Sequence, residues 1–275
     1  RPFLVLSDYL TRQGITVLRV DDRGVGASTG NFSQATTEDF AEDVLAGVEY
    51  LKSRKEVDSS RIGLIGHSEG GLIAPLVAVK SPDVAFIVLM AGPGVTGEEI
   101  ILSQSELISR AEGADNETIA RNQVLMKNLF SVVKEEQNDT VAEEKIHKLI
   151  KAELANTSEE SKQYSDFTEA NLEVQTQALL TPWMRFFLTY DPRPALMKVK
   201  CPVLAIIGEK DLQVPPDENL PAIEEALKAG GNEDYTVKEL PGLNHLFQKA
   251  QTGSPSEYAK IEETISPDAL KLIGD

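Results

Sequence analysis

The hydrophobic positions of this chain change period several times, and each change marks an element. PFLVLSDYLTRQG sets Phe3, Leu6 and Leu10 about one helical turn apart and ends at Gly14, which predicts a helix with its stop signal. ITVLRV (15–20) is a β-branched apolar run of strand length, and the loop-forming stretch DDRGVGASTG stops it. A second helix should begin near Thr36, because Thr36 and Asp39 have capping-box spacing, and it should bury Phe40, Val44, Val48 and Leu51. RIGLIG (61–66) reads as a strand, SEGGLIAPLVAVK as a helix and VAFIVLMAG (84–92) as the next strand.

Strands this short, apolar on both faces and alternating with helices, predict a parallel sheet covered by helices. The alternation stops at about Val95. From there to Lys200 the pattern is helical, with Ile146, Leu149, Ile150 and Leu154 on one face and with EEQND and NTSEES as loops. It resumes with CPVLAIIGEKD (201–211), a helix near 217–229 and DYTVKEL (234–240), and a last helix is expected over roughly 256–272. The arrangement implies an α/β core, residues 1–94 and 201–275, carrying a helical insertion at 95–200.

Composition narrows the functions. The 275 residues are 41% hydrophobic, enough for a sizeable core. A net charge of 27 − 44 = −17 argues against nucleic acid or anionic lipid as partner. No run of about 18 apolar residues is present, so no membrane span is expected. Cys201, the only cysteine, excludes an internal disulfide. His67, His147 and His245 without paired cysteines are too few soft ligands for a zinc site, and no metal is expected. The compartment stays open.

Two nucleotide-binding readings fail. The glycines of GVGASTG fall at 24, 26 and 30, one residue too late for G-x-G-x-x-G, and no P-loop pattern occurs. Gly66-His67-Ser68-Glu69-Gly70 is different, because this G-x-S-x-G lies between a predicted strand and a predicted helix. There it forms a nucleophile elbow, a turn so tight that the positions two before and two after the serine must be very small. Such a turn lifts the Ser68 hydroxyl clear of the sheet and leaves the main-chain N–H of Glu69 free to face an oxyanion. A serine needs a base, and the base an orienting acid. Asp211 closes the strand of IIGEKD, and His245 lies in ELPGLNHLF after the final strand. The order Ser68, Asp211, His245 is that of α/β-hydrolases rather than of chymotrypsin or subtilisin. His67 reads as structural and His147 as a surface residue, while Asp21, Asp22 and Arg23 should tie down their loop.

VLRVDDRGVGASTG, RIGLIGHSEGGLIAPLVA, PVLAIIGEKDLQVPP and LPGLNHLF together resemble the α/β-hydrolase superfamily, and within it bacterial carboxylesterases of the serine-aminopeptidase-like group. The resemblance covers residues 2–53, 61–94 and 201–273, and it puts the insertion in that group's lid position. It implies a Ser68–His245–Asp211 triad, no cofactor and a small-molecule ester or short peptide-like substrate. Aminopeptidase, amidase or acyl-transfer chemistry with the same triad is the alternative. A non-catalytic binding protein of this fold would normally lack a triad member, and none is lacking here. TPWMRFFLTY (181–190), the most aromatic segment, either packs the lid on the core or lines an acyl pocket through Trp183, Phe186 and Phe187.

One part of the fold is expected outside this chain. A second oxyanion N–H normally comes from a loop before the first core helix, which here starts at about Pro2. The strands expected before that loop are missing from the sequence as well, which should leave one face and edge of the sheet uncovered. The expectation is an upstream segment of the same protein, without which residues 1–275 should be weak or inactive.

Overall fold

The computed structural model describes residues 2–157, 167, 168 and 170–275. Its sheet is parallel and contains β1 (Ile62–His67), β2 (Val84–Met90), β3 (Val203–Gly208) and β4 (Tyr235–Leu240), in that order. The register sets His67 beside Met90 and Met90 beside Ile206, so the carboxyl ends of the strands lie flush. Among the described residues, α1 (Pro2–Arg12) and α2 (Thr37–Lys52) precede the sheet. Helix α3 (Gly70–Lys80) joins β1 to β2, α10 (Pro216–Ala229) joins β3 to β4, and α11 (Pro267–Gly274) closes the chain.

The period of two in each strand divides the core. Ile87, Leu89, Val203 and Ala205 pack with Val48 of α2, Val77 of α3 and Ile223 and Leu227 of α10. Val88, Met90 and Ile206 face the other way, onto Leu6 and Leu10 of α1 and Leu270 and Ile273 of α11. Helices therefore pack on both faces, which is why β2 and β3 read as continuous apolar runs, although Ile65 of β1 and Phe86 of β2 stay exposed on the α1 side, where an uncovered face is expected.

Between β2 and β3 the described residues form six helices: α4 (Gly97–Ala111), α5 (Asn116–Glu135), α6 (Asp139–Asn156), α7 (Leu172–Leu179), α8 (Pro182–Thr189) and α9 (Arg193–Leu196). The insertion has its own core, in which Leu125, Leu129 and Phe130 meet Ile146, Ile150, Leu154 and Leu188. A smaller apolar seam joins it to the sheet, with Ile100 and Phe187 against Leu72, Ile207, Val214 and Leu220. EEQND does form the turn from α5 to α6. Residues 158–161 of the NTSEES loop lie outside the described residues.

The second helix forms as expected. Thr36 Oγ1 accepts from the Asp39 N–H while Asp39 Oδ2 accepts from the Thr36 N–H at 2.9 Å, a reciprocal capping box. Three expectations need correction. Residues 15–20 form no strand, because no ladder partner for them exists among the described residues. The Ile15 N–H turns back to the Leu10 carbonyl at 3.1 Å, no neighbouring strand among the described residues completes a ladder, and Ile15, Leu18 and Val20 stay exposed. The last helix is not continuous over 256–272: a 3-10 turn at Pro255–Lys260 is followed by α11. Pro267 cannot donate an intrahelical bond, and Ser266 caps α11 by accepting from the Asp268 N–H, so the helix restarts there. Phe3, placed by its spacing with Leu6 and Leu10, is exposed rather than buried.

Candidate active site

Ser68 lies at the carboxyl end of β1 with φ 55°, in the left-handed region that side chains other than glycine rarely occupy. Its N–H donates to the Met90 carbonyl at 2.8 Å, and its own carbonyl accepts from the Gly71 N–H at 2.8 Å, so both sides of the strained residue are held. The small-residue requirement of the elbow falls differently from the motif. A Cβ on Gly66 would sit on the Gly70 carbonyl, and a Cβ on Gly71 would sit on Gly92, whereas a Cβ on Gly70 would meet nothing within 4 Å. The close approach is therefore made by the backbone of Gly70 and by the packing of α3 on β2.

Asp211 and His245 reach the same end of the sheet from β3 and β4. Lys210 N–H donates to the Leu243 carbonyl at 2.8 Å and Gly242 N–H to Glu209 Oε2 at 2.6 Å, joining the two loops. Gly208 permits this approach, since a Cβ there would strike the Leu243 carbonyl. The Asp211 carboxylate is buried and fully engaged. Oδ1 accepts the N–H groups of Gln213 and Val214 at 2.9 and 2.8 Å, and Oδ2 lies 2.8 Å from His245 Nδ1. Because a carboxylate accepts, Nδ1 carries the proton and Nε2 keeps its lone pair. The His245 loop is fixed by the buried Asn244, whose Oδ1 accepts from Leu246 and Gln248 N–H at 3.0 and 2.9 Å.

The elbow meets this pair through His67. His67 Nε2 donates to the His245 carbonyl at 2.8 Å, and the two rings stand 4.7 Å apart. Phe3 and Phe247 flank the His67 ring at 5.8 and 6.3 Å. Burial, reinforced by His245, pushes the His67 pKa down to about 4. His67 is thus a neutral strut that holds the His245 loop against the residue preceding Ser68.

The insertion reaches the elbow through Glu69. Glu69 Oε1 accepts from Thr37 Oγ1 at 2.7 Å and from Trp183 Nε1 at 2.7 Å. Trp183 stacks on Phe187 with centroids 4.7 Å apart, and Phe186 stacks on Tyr190 at 5.2 Å. Phe187 is buried in the seam with the sheet, while Trp183 and Phe186 are half-buried. The aromatic segment is therefore brought to the residue after Ser68.

Other singled-out residues lie elsewhere. Arg23 ties its loop to α2, bonding Asp43 at 2.7 and 2.9 Å and the Asp39 carbonyl at 2.7 Å, rather than pairing with Asp21 or Asp22. His147 is half-buried on α6, and its Nε2 is 3.7 Å from a Glu173 carboxylate oxygen. Glu143, His147 and Glu173 are the described group whose ligand atoms, all within 4.8 Å of one another, have spacing suited to a metal. A groove of about 320 Å³ beside α1 is lined by Pro2, Phe3, Leu4 and Arg19 and includes none of Ser68, Asp211 and His245.

A parallel sheet flanked by helices, with a serine elbow after one strand and an Asp–His pair after two later ones, defines an α/β-hydrolase fold. Residues 3–249 match the family described as serine aminopeptidase, S33, and the chain belongs to that family. Among its relatives is Esterase EstD of Thermotoga maritima, 25% identical over 252 residues that make up 91% of this chain and 50% of that protein. An uncharacterised 31.7 kDa protein of Escherichia coli is 24% identical over 234 residues, 83% of this chain and 73% of that one. The fold is similar to that of the Pyrococcus furiosus esterase Pf2001, with a TM-score of 0.53, 19% identity and cover of 100% of this chain and 71% of that one. The chain thus spans about half the length of EstD.

Proposed function

We propose that this protein is a serine hydrolase that cleaves carboxylic esters through an acyl-enzyme. The observation that carries the proposal is the 2.8 Å bond between His245 Nδ1 and the buried Asp211 carboxylate, at the sheet end where Ser68 is held at φ 55°. In this reading His245 Nε2 takes the Ser68 Oγ proton as Oγ bonds to the ester carbonyl carbon. The carbonyl electrons move onto oxygen, which the Glu69 N–H receives. Collapse breaks the C–O bond to the alcohol, which leaves with the proton from His245. Water then repeats the sequence on the acyl-enzyme and frees the acid and Ser68. Asp211 holds the imidazole in the required tautomer and stabilises the imidazolium. No metal or cofactor enters these steps.

In the same reading residues 95–200 act as a lid whose aromatic segment, Trp183, Phe186 and Phe187, forms the apolar wall for the acyl group. The likeness to the esterase EstD supports an ester as substrate. An aminopeptidase would need a carboxylate to hold the substrate amine. Glu69, the acid beside the nucleophile, already accepts two hydrogen bonds on Oε1, which favours the ester reading. Assay of the full protein on p-nitrophenyl esters beside aminoacyl anilides tests the choice. Ester turnover well above anilide turnover is expected, and the reverse order would give the site to a peptidase.

A further inference from the structure

We propose that Glu69 is a positioning residue: its carboxylate, held between Thr37 of α2 and Trp183 of α8, fixes the main-chain N–H that receives the oxyanion. Docking of the insertion thereby sets the acylation rate, independently of which acyl chain is bound. The inference rests on the serine-hydrolase reading above.

Glu69 stands at the start of α3, yet its side chain does not cap that helix. Among the described residues its main-chain N–H takes no hydrogen-bond partner, which leaves it available for a ligand. The preceding residue is the strained Ser68, and a backbone in that region persists only where its surroundings over-determine it. The Glu69 carboxylate supplies such a restraint. Thr37 is fully buried and its hydroxyl needs an acceptor, and the half-buried Trp183 indole needs one too. Both converge on Oε1 at 2.7 Å, from positions 32 and 114 residues away in the chain. Two donors from separate elements share this one carboxylate oxygen, so it anchors the elbow to the core helix and to the insertion together. A displacement of about 1 Å at a catalytic group can cost on the order of 100-fold in rate. Loss of one anchor should therefore act on kcat rather than on binding.

The test uses the full protein and p-nitrophenyl acetate, whose small acyl group makes least use of the aromatic wall. Trp183→Phe keeps a ring on Phe187 and removes the indole N–H together with part of the ring area, so the melting temperature is read beside the rate. The substitution should lower kcat about tenfold, with KM within about twofold and melting within about 2 °C of wild type. Glu69→Ala should lower kcat further, and Glu69→Gln, which keeps an acceptor oxygen, should recover most of that loss. Adding Trp183→Phe to Glu69→Ala should change nothing more, because one interaction is being removed twice. A wild-type kcat in Trp183→Phe, or a loss that follows melting temperature through the series, would overturn the proposal. The rate of Ser68 labelling by a fluorophosphonate separates the two levels. Wild type that does not label removes the serine-hydrolase reading itself. Wild type and Trp183→Phe labelling at equal rates removes only the role of Glu69.

Discussion

Replacing His67 by glutamine should change how stability depends on pH. In the folded protein His67 has a pKa of about 4, against an ordinary 6.5 in the unfolded chain, because its half-buried ring is desolvated beside His245. Between those values the unfolded chain binds the proton and the folded protein does not. Stability linked to His67 is therefore present above about pH 6.5 and lost as pH falls toward 4. At pH 4.5 the loss relative to pH 7 is about 2.5 kcal/mol, an upper limit because the half-buried ring keeps some contact with water. In His67→Gln the side-chain amide can still donate to the His245 carbonyl but does not titrate. Urea unfolding of both proteins at pH 7 and at pH 4.5 is the assay, since carboxylate titration is common to the two and cancels in the difference. Wild type should lose up to about 2.5 kcal/mol relative to the variant over that interval. Parallel stability curves, with a gap independent of pH, would refute the assignment of His67 as a neutral strut.

Gly66→Ala should unfold the elbow, since its Cβ would occupy the Gly70 carbonyl position, at a cost of about 3 kcal/mol or more in thermal or urea unfolding. Gly70→Ala, although inside the motif, should leave stability unchanged or raise it by up to about 1 kcal/mol, because its Cβ meets open space at the first residue of α3. Asn244→Ala should lower kcat and melting temperature together, as the two main-chain bonds that hold the His245 loop are lost, and ester turnover beside a melting curve reads both. Phe186→Ala should shift preference among acyl chain lengths more than it changes acetate turnover; an equal loss on every chain length would mark the residue as packing only.

Legibility in the sequence followed the range of each interaction. The Thr36–Asp39 capping box and the Gly66–Ser68 turn depend on residues within a few positions of one another, and their spacing carries them. The order Ser68, Asp211, His245 is readable because each residue closes or follows a strand, and the parallel sheet brings those ends together. The bonds from Thr37 and Trp183 to Glu69 left no such trace, since contacts across 32 and 114 residues have no periodicity. Composition at Gly70 suggested a steric need that the turn transfers to Gly66 and Gly71. ITVLRV had every local property of a strand, but ladder formation is decided by a partner that a propensity does not contain. Pro267 inside the expected last helix was the available sign that α11 would restart there.

The central claim is that Ser68 is the nucleophile. Treating the full protein with a fluorophosphonate and mapping the adduct by mass spectrometry tests it most directly. The expected result is a single covalent adduct on Ser68, absent from Ser68→Ala and strongly slowed in His245→Ala. Full labelling of Ser68→Ala, or an unlabelled wild-type protein, would contradict it.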